Sequence, residues 1–170
     1  THSTSSAASD VYKRQSWLTF EPSTGKLTGT PANGDVGTHS ITVTATDDAG
    51  DTGSQTFTIT VANTNDAPTI SSNAVIAVDE DSLYTYTVTG DDVDANDGMT
   101  LSVTSTLPTW LSFDANTGVL SGTPLNAHVG TQDVTVQAED TAGATGTQTF
   151  TITISNTNDA PSTVSYTHLT

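Results

Sequence analysis

Cysteine is absent from the 170 residues, and basic side chains nearly so: Lys and Arg together number three against 19 Asp and Glu. Without cysteine there is neither a disulfide framework nor thiol chemistry. A formal net charge of −16 excludes nucleic acid and anionic lipid surfaces as partners, since both are polyanions; the same charge invites cations. No apolar run approaches the ~20 residues of a membrane-spanning helix. No G-x-S-x-G, P-loop or H-E-x-x-H motif occurs. His39 and His128 each stand apart from other metal-binding or catalytic residue types. A pair of carboxylates could serve a hydrolase only if one were buried with a raised pKa, and almost all of them fall in polar loop stretches. We therefore expect no enzyme and no catalytic residue.

What the chain does contain is repetition. Shifted by 93 residues, the stretch Trp17 to Pro68 falls on Trp110 to Pro161 without a gap, and 33 of the 52 positions are identical. "WLTFEPSTGKLTGTP" meets "WLSFDANTGVLSGTP", and "NTNDAP" ends both copies. A period this long marks whole domains in tandem, because ~100 residues suffice for one small β-sandwich.

The two ends do not share in the repeat. Asp10 to Gln15 (DVYKRQ) back-translates to GATGTGTATAAGAGACAG. Val164 to Leu169 (VSYTHL) back-translates to its reverse complement over the shared length, a string that resembles the end of a transposase adapter. We expect residues 1–15 and 164–170 to be adapter-encoded. Between them only Lys26 is basic, against 18 acidic residues once Asp10 is set aside, for a net charge near −17. The expected organisation is a truncated C-terminal part of one repeat at 16–64, a complete repeat at 65–158, and the start of a next one at 159–163.

Within the repeats threonine alternates with apolar residues, as in "TQTFTITI" (Thr147 to Ile154) and "YTYTVT" (Tyr84 to Thr89). Period-two alternation of β-branched residues predicts half-buried strands with Thr facing water. Strands are predicted at 69–70, 74–78, 83–89, 100–104, 110–113, 119–123, 132–139 and 147–155. The inward positions are Tyr84, Tyr86, Val88, Leu101, Val103, Leu111, Phe113, Leu120, Val134, Val136, Ala138, Phe150, Ile152 and Ile154. These can fill one modest core. Trp17 and Trp110 sit beside apolar Leu and Phe, which favours packing over an exposed sugar-stacking role. The first repeat lacks everything corresponding to 67–108, so 16–64 is not expected to fold alone.

Seven carboxylates lie between Asp79 and Asp97. At contact each pair repels by roughly 1 kcal/mol even in water, so something should offset them. Ca²⁺ suits oxygen ligands at alternate positions of a tight turn; a solvated acidic loop is the alternative. "DVDANDG" places Asp92, Asp94 and Asn96 at the first, third and fifth places of an EF-hand loop. Asp97 at the sixth place, Val103 at the twelfth, and flanking strands rule that motif out.

"LPTWLSFDANTGVLSGTP", "HVGTQDVTVQAEDTAG" and "FTITISNTNDAP" resemble the dystroglycan-type cadherin-like repeats, and the related immunoglobulin-like repeats, of long bacterial surface proteins. The resemblance covers nearly all of Ser16 to Pro161. It implies an all-β fold, tandem immunoglobulin/cadherin-like Greek-key β-sandwiches placed end to end. In cadherins proper Ca²⁺ lies between consecutive domains. Their linker motif is matched here by Asn65, Asp66, Ala67 and Pro68, their D-x-D by Asp92 and Asp94 with Asn96 following, and their first-strand Glu by Glu80. Ala138, Asp140 and Gly143 match a further stretch loosely. The resemblance thus implies one Ca²⁺ junction at Asn65, Asp66, Asp92, Asp94, Asn96 and Asp140, and another at Glu80, Asn158 and Asp159. Binding is expected to be weak in this chain because each junction has only one of its two domains complete. The function so implied is a non-catalytic, Ca²⁺-stiffened spacer or adhesion segment of a bacterial surface or secreted protein. Its partners are the neighbouring repeats and a cell-surface protein or glycan. The alternative is a carbohydrate-binding accessory module of a secreted polysaccharide-degrading enzyme, which an exposed planar row of aromatics would favour.

Overall fold

The computed structural model describes residues 15–94 and 97–161. Expectations that fall on 1–14, on Ala95 and Asn96, and on 162–170 lie outside the described residues. The chain divides between Thr64 and Asn65 into two units.

The first unit contains two antiparallel hairpins. Strands β1 (Leu18–Glu21) and β2 (Lys26–Gly29) form one, and β3 (Gly37–Thr46) and β4 (Thr52–Val61) the other. Both turns use glycine in the left-handed region, Gly25 at φ 66° and Gly50 at φ 92°, where a Cβ is disfavoured.

The second unit is a β-sandwich. In chain order its strands are β5 (Thr69–Ile70), β6 (Ala77–Asp79), β7 (Tyr84–Thr87), β8 (Gly90–Asp91), β9 (Met99–Val103), β10 (Leu111–Asp114), β11 (Val119–Gly122), β12 (Gly130–Asp140) and β13 (Thr145–Ser155). One sheet runs β10-β11-β7 and the other β6-β13-β12-β9; β5 and β8 pair separately. All pairings are antiparallel except β6 on β13. The alternation of β13 explains its place: Phe150, Ile152 and Ile154 are buried while the threonines between them face outward. All fourteen side chains expected inward are buried or packed against the core. Each fully buried large apolar side chain there is worth about 1.5–3 kcal/mol. Tyr86 meets Phe150 edge-on across the sandwich at 5.5 Å.

The predicted strand at 74–78 starts later, at Ala77: the Val75 carbonyl accepts from the Tyr84 hydroxyl, and pairing with β13 begins only where the Ile76 carbonyl accepts from the Thr153 amide. The predicted strand at 83–89 ends at Thr87. Beyond it Val88 donates to the Gly118 carbonyl, while the Thr89 carbonyl accepts from Ser71 and Ser72. The chain thereby changes partner and starts the separate strand β8.

Trp110 packs against the core with its ring edge-on to Tyr84 at 6.0 Å. Its carbonyl also explains the glycine of "SGTP". A Cβ on Gly122 would strike the Trp110 carbonyl oxygen, and one on Gly29 that of Trp17. The repeated Trp and the repeated Gly are therefore one packing unit.

Candidate metal centres

The alternation that builds the strands also carries carboxylates inward at their ends. In β12 Val134, Val136 and Ala138 are buried, and the next position of the same parity is Asp140, 6% exposed. Beyond β6 the parity of Val78 leads to Glu80, 1% exposed. From Gly90 the same count leads to Asp92 and then to Asp94, 6% exposed, while Val93 between them is turned out.

Two carboxylate clusters result. The first brings Asp92, Asp97 and Asp140 together, with carboxylate oxygens within 4.8 Å of one another. Asp92 Oδ1 accepts from the Asp94 amide at 2.8 Å, and Asp94 Oδ2 accepts from the Asp66 amide at 2.7 Å. Asp92 Oδ2 and Asp94 Oδ1 are buried and have no donor among the described residues. Asp140 Oδ2 accepts from the Asn65 side-chain amide and Oδ1 from the Ala144 backbone, both at 2.8 Å. The Asn65 amide foremost, against the opposing effect of burial, holds the Asp140 carboxyl below its ordinary range; the backbone amides of Ala144, Ala142 and Gly143 add to this.

The second cluster joins Glu80, Asp81 and Asp159, again within 4.8 Å. Glu80 Oε1 accepts from the Thr157 amide at 2.8 Å, and Oε2 is buried without a protein donor. Asp81 adopts the left-handed conformation at φ 59° and its amide donates to the Pro124 carbonyl. Asp159 accepts from the Asn126 side chain at 3.1 Å. The 11-residue β12 runs from Gly130, beside Ile154 in the second region, to Asp140 in the first; at ~3.3 Å per residue the clusters stand about 30 Å apart. They mark the two ends of the sandwich, where the chain enters and leaves.

Of the expected ligand residues, Asn65, Asp66, Asp92, Asp94 and Asp140 are linked around the first cluster, and Glu80 and Asp159 share the second. Asn96 lies outside the described residues. The Asn158 side-chain amide lies 3.5 Å from its neighbour's carbonyl, that of Asp159. Asp81 and Asp97 were visible as acidic residues but not as ligands. Asp97 is placed by the Thr141 amide and hydroxyl, 44 positions away in the chain, and no local signal announces that contact. A buried, oxygen-only set with orphaned carboxylate oxygens can hold a hard cation; among the described residues neither cluster contains histidine.

The histidines have other work. His128 Nδ1 accepts from the Leu125 amide at 2.9 Å, and Asp35, its counterpart 93 residues earlier, accepts from the matching Ala32 amide at 2.9 Å.

A family model described as "Putative Ig domain" matches residues 2–62 and 67–155, and the chain belongs to that family of immunoglobulin-like repeats. Its first match starts inside the stretch expected to be adapter-encoded, so alignment and back-translation divide those residues differently. Over 138 residues the chain is 30% identical to the serine-rich adhesin for platelets of Staphylococcus aureus; the match covers 79% of this chain and 6–10% of the adhesins. The chain thus spans a tenth or less of those relatives. Among solved structures, Drosophila N-cadherin domains EC1-4 match at TM-score 0.59 and 18% identity, over 91% of this chain and 43% of that one. Mouse cadherin-23 domains EC22-24 match at TM-score 0.59 and 20% identity, over 88% and 52%. At such identity the likeness shows the immunoglobulin/cadherin-like fold.

Proposed function

We propose that this chain is a non-catalytic spacer or adhesion segment of a larger bacterial protein, working at the cell surface or outside the cell, and that Ca²⁺ stiffens its junctions. Its immediate partners are the neighbouring repeats of its own array, with a surface protein or glycan as the eventual target. The observation that carries this reading is the pair of carboxylate clusters at opposite ends of the complete repeat, each with a buried oxygen that no group among the described residues satisfies. A buried carboxylate without a donor is costly, and a divalent cation would remove that cost at the two places where repeats join. The surface adhesins matched by the chain support the extracellular setting. A carbohydrate-binding reading lacks a platform among the described residues of the second unit: Tyr84, Tyr86 and Phe150 are buried, and Trp110 and Phe113 pack against the core.

In the Ca²⁺ reading, Asp92, Asp94, Asp97 and Asp140 hold one ion, with Asn65 and Asp66 closing the approach. Glu80, Asp81 and Asp159 hold the other. Extracellular sites of this kind bind at ~10⁻⁴–10⁻³ M, so 5 mM Ca²⁺ should stabilise the fold by about 1–2 kcal/mol through preferential binding to the native state. Thermal melts of the chain in Ca²⁺, Mg²⁺ or chelator test this. Ca²⁺ should raise Tm, Mg²⁺ should do so less because it demands a tighter octahedron, and Asp92→Asn with Asp94→Asn, or Glu80→Gln, should shrink the Ca²⁺ shift. Equal shifts from both ions, or a Ca²⁺ shift untouched by the substitutions, would mean screening of an acidic surface and no specific site.

A further inference from the structure

We infer that Asn33 and Gly34 form a self-modifying site: the Asn33 side-chain nitrogen is lost as ammonia by ring closure onto the Gly34 nitrogen, and water then leaves aspartate or isoaspartate at position 33.

Of the nine asparagines in the chain, Asn33 alone precedes glycine. The pair opens a short 3-10 turn, Asn33–Asp35, on the way from β2 to β3. The Asp35 amide donates to the Ala32 carbonyl at 2.8 Å, and the Val36 amide to the Asn33 carbonyl at 3.2 Å. The Gly34 N–H has no acceptor among the described residues, because the first amides of a helical turn find no partner within it. Asn33 and Gly34 are both exposed. A backbone nitrogen that is unengaged, open to water and one residue after a carboxamide is the nucleophile this ring closure needs.

The second repeat supplies the comparison. Its turn, Asn126–His128, is closed in the same way: the His128 amide donates to the Leu125 carbonyl at 2.7 Å and the Val129 amide to the Asn126 carbonyl at 3.3 Å. Asn126 and Ala127 are exposed as well, so exposure at 33 and 34 belongs to the turn itself. The difference is Ala127 in the place of Gly34. Its Cβ crowds the nitrogen that must approach the side-chain carbonyl and narrows the backbone conformations that ring closure has to visit. The Asn126 amide is also engaged, donating to Asp159 Oδ2 at 3.1 Å. Packing does not call for glycine at 34: a Cβ there would meet nothing within 4 Å, and the backbone lies outside the left-handed region. The same turn takes alanine in the second repeat, so glycine here changes reactivity and leaves the fold as it is.

The step balances. The Gly34 nitrogen bonds to Asn33 Cγ and gives up its proton, the Cγ–Nδ2 bond breaks, and ammonia carries that proton away. The five-membered imide takes up one water. Opening at the side-chain carbonyl gives aspartate; opening at the main-chain carbonyl gives isoaspartate. Either product adds a carboxylate to a chain already at −16. Isoaspartate also lengthens the main chain by one atom, and the carbonyl that accepted from Val36 becomes a free carboxylate.

The test ages the intact chain in warm, mildly alkaline buffer and maps its peptides by chromatography and mass spectrometry. Position 33 should gain the mass of an amide-to-acid conversion at least tenfold faster than Asn126. It should yield two peptides of equal mass, one aspartyl and one isoaspartyl, at a rate that rises with pH. Gly34→Ala should slow the conversion at least tenfold without lowering Tm. Isomerisation at Asp97–Gly98 leaves the mass unchanged and falls in another peptide, so it does not interfere. Conversion at position 33 no faster than at Asn126, or as fast in Gly34→Ala as in the parent chain, overturns the inference. An aspartyl product without its isoaspartyl twin does so too, since that marks direct hydrolysis of the side chain.

Discussion

Phe57 and Phe150 occupy the same place in the same six residues, QTFTIT, yet Phe57 is 37% exposed and Phe150 only 9%. The strands that carry them pair in the same register: Gly37 faces Val61 as Gly130 faces Ile154. Leu18, Leu27, Val43 and Ile59 are half-buried, where Leu111, Leu120, Val136 and Ile152 are buried. The local sequence therefore suffices to set strand, turn and register. Ile41 is buried like its counterpart Val134, but at these other positions burial depends on what lies across the sandwich, and among the described residues only the second unit has β5 to β9 to supply it.

The largest break in this comparison should come from the phenylalanines themselves. Phe150→Ala should cost about 3–5 kcal/mol, the loss of a packed aromatic and the cavity it leaves. Phe57→Ala should cost less, about 1–2 kcal/mol, since more than a third of its surface stays in water. Urea titrations of the two variants, followed by tryptophan fluorescence, measure both; similar losses would show that the first unit has a core of its own.

A smaller contrast is expected at the paired glycines. Gly146→Ala forces a methyl group into the Pro68 carbonyl and should destabilise by about 1–3 kcal/mol. Gly53→Ala has open space and ordinary backbone, so it should be neutral or stabilise by up to about 1 kcal/mol. Opposite signs in a thermal melt would sharpen the distinction; matching signs would dissolve it.

Acid should act on the second unit through Asp140. Its carboxyl is held below the ordinary range in the fold. The stability this provides is fully present above the unfolded-state pKa of about 3.9 and is lost as pH falls through the lower folded value. Melts recorded from pH 6 downward without added metal should show that loss, and Asp140→Asn should flatten it. An unchanged acid limb in the variant would place the acid sensitivity elsewhere.

The smallest effect is expected where the repeats differ in sequence but agree in role. His128 and Asp35 each accept the amide three residues before them. His128→Asp should therefore change stability by less than about 0.5 kcal/mol, while His128→Ala should cost about 1 kcal/mol by analogy with a lost helix cap. A large loss in His128→Asp would show that the imidazole does more than accept that amide; its tilted ring contact with Trp110, centroids 6.3 Å apart, is the one to examine next.

Much was legible from residues alone. The alternation of Thr with Phe, Ile and Val places the inward face of β13, because a side-chain period of two is built into the strand. The same count carries Asp140, Glu80, Asp92 and Asp94 inward, residues that the acidic run and the resemblance to cadherin motifs had already singled out as candidate ligands. Strand limits at 74–78 and 83–89 were less legible. There the hydrogen bonds leave the regular ladders: the Val75 carbonyl is taken by the Tyr84 hydroxyl, and Thr89 turns from β11 to Ser71 and Ser72.

By itself the sequence determined the repeat, the strands, the hairpin registers and the inward parity of the acidic residues, since parity is set within a strand and a hairpin's register by its turn. Tertiary structure alone decided which identical residues are buried, why Gly122 and Gly146 must lack a side chain, and that Asp97 joins Asp140 while Asp81 joins Glu80 and Asp159. Those outcomes depend on contacts between residues tens of positions apart. No local pattern encodes them, because they arise only when two sheets close over one core and bring the ends of separate strands to the same place.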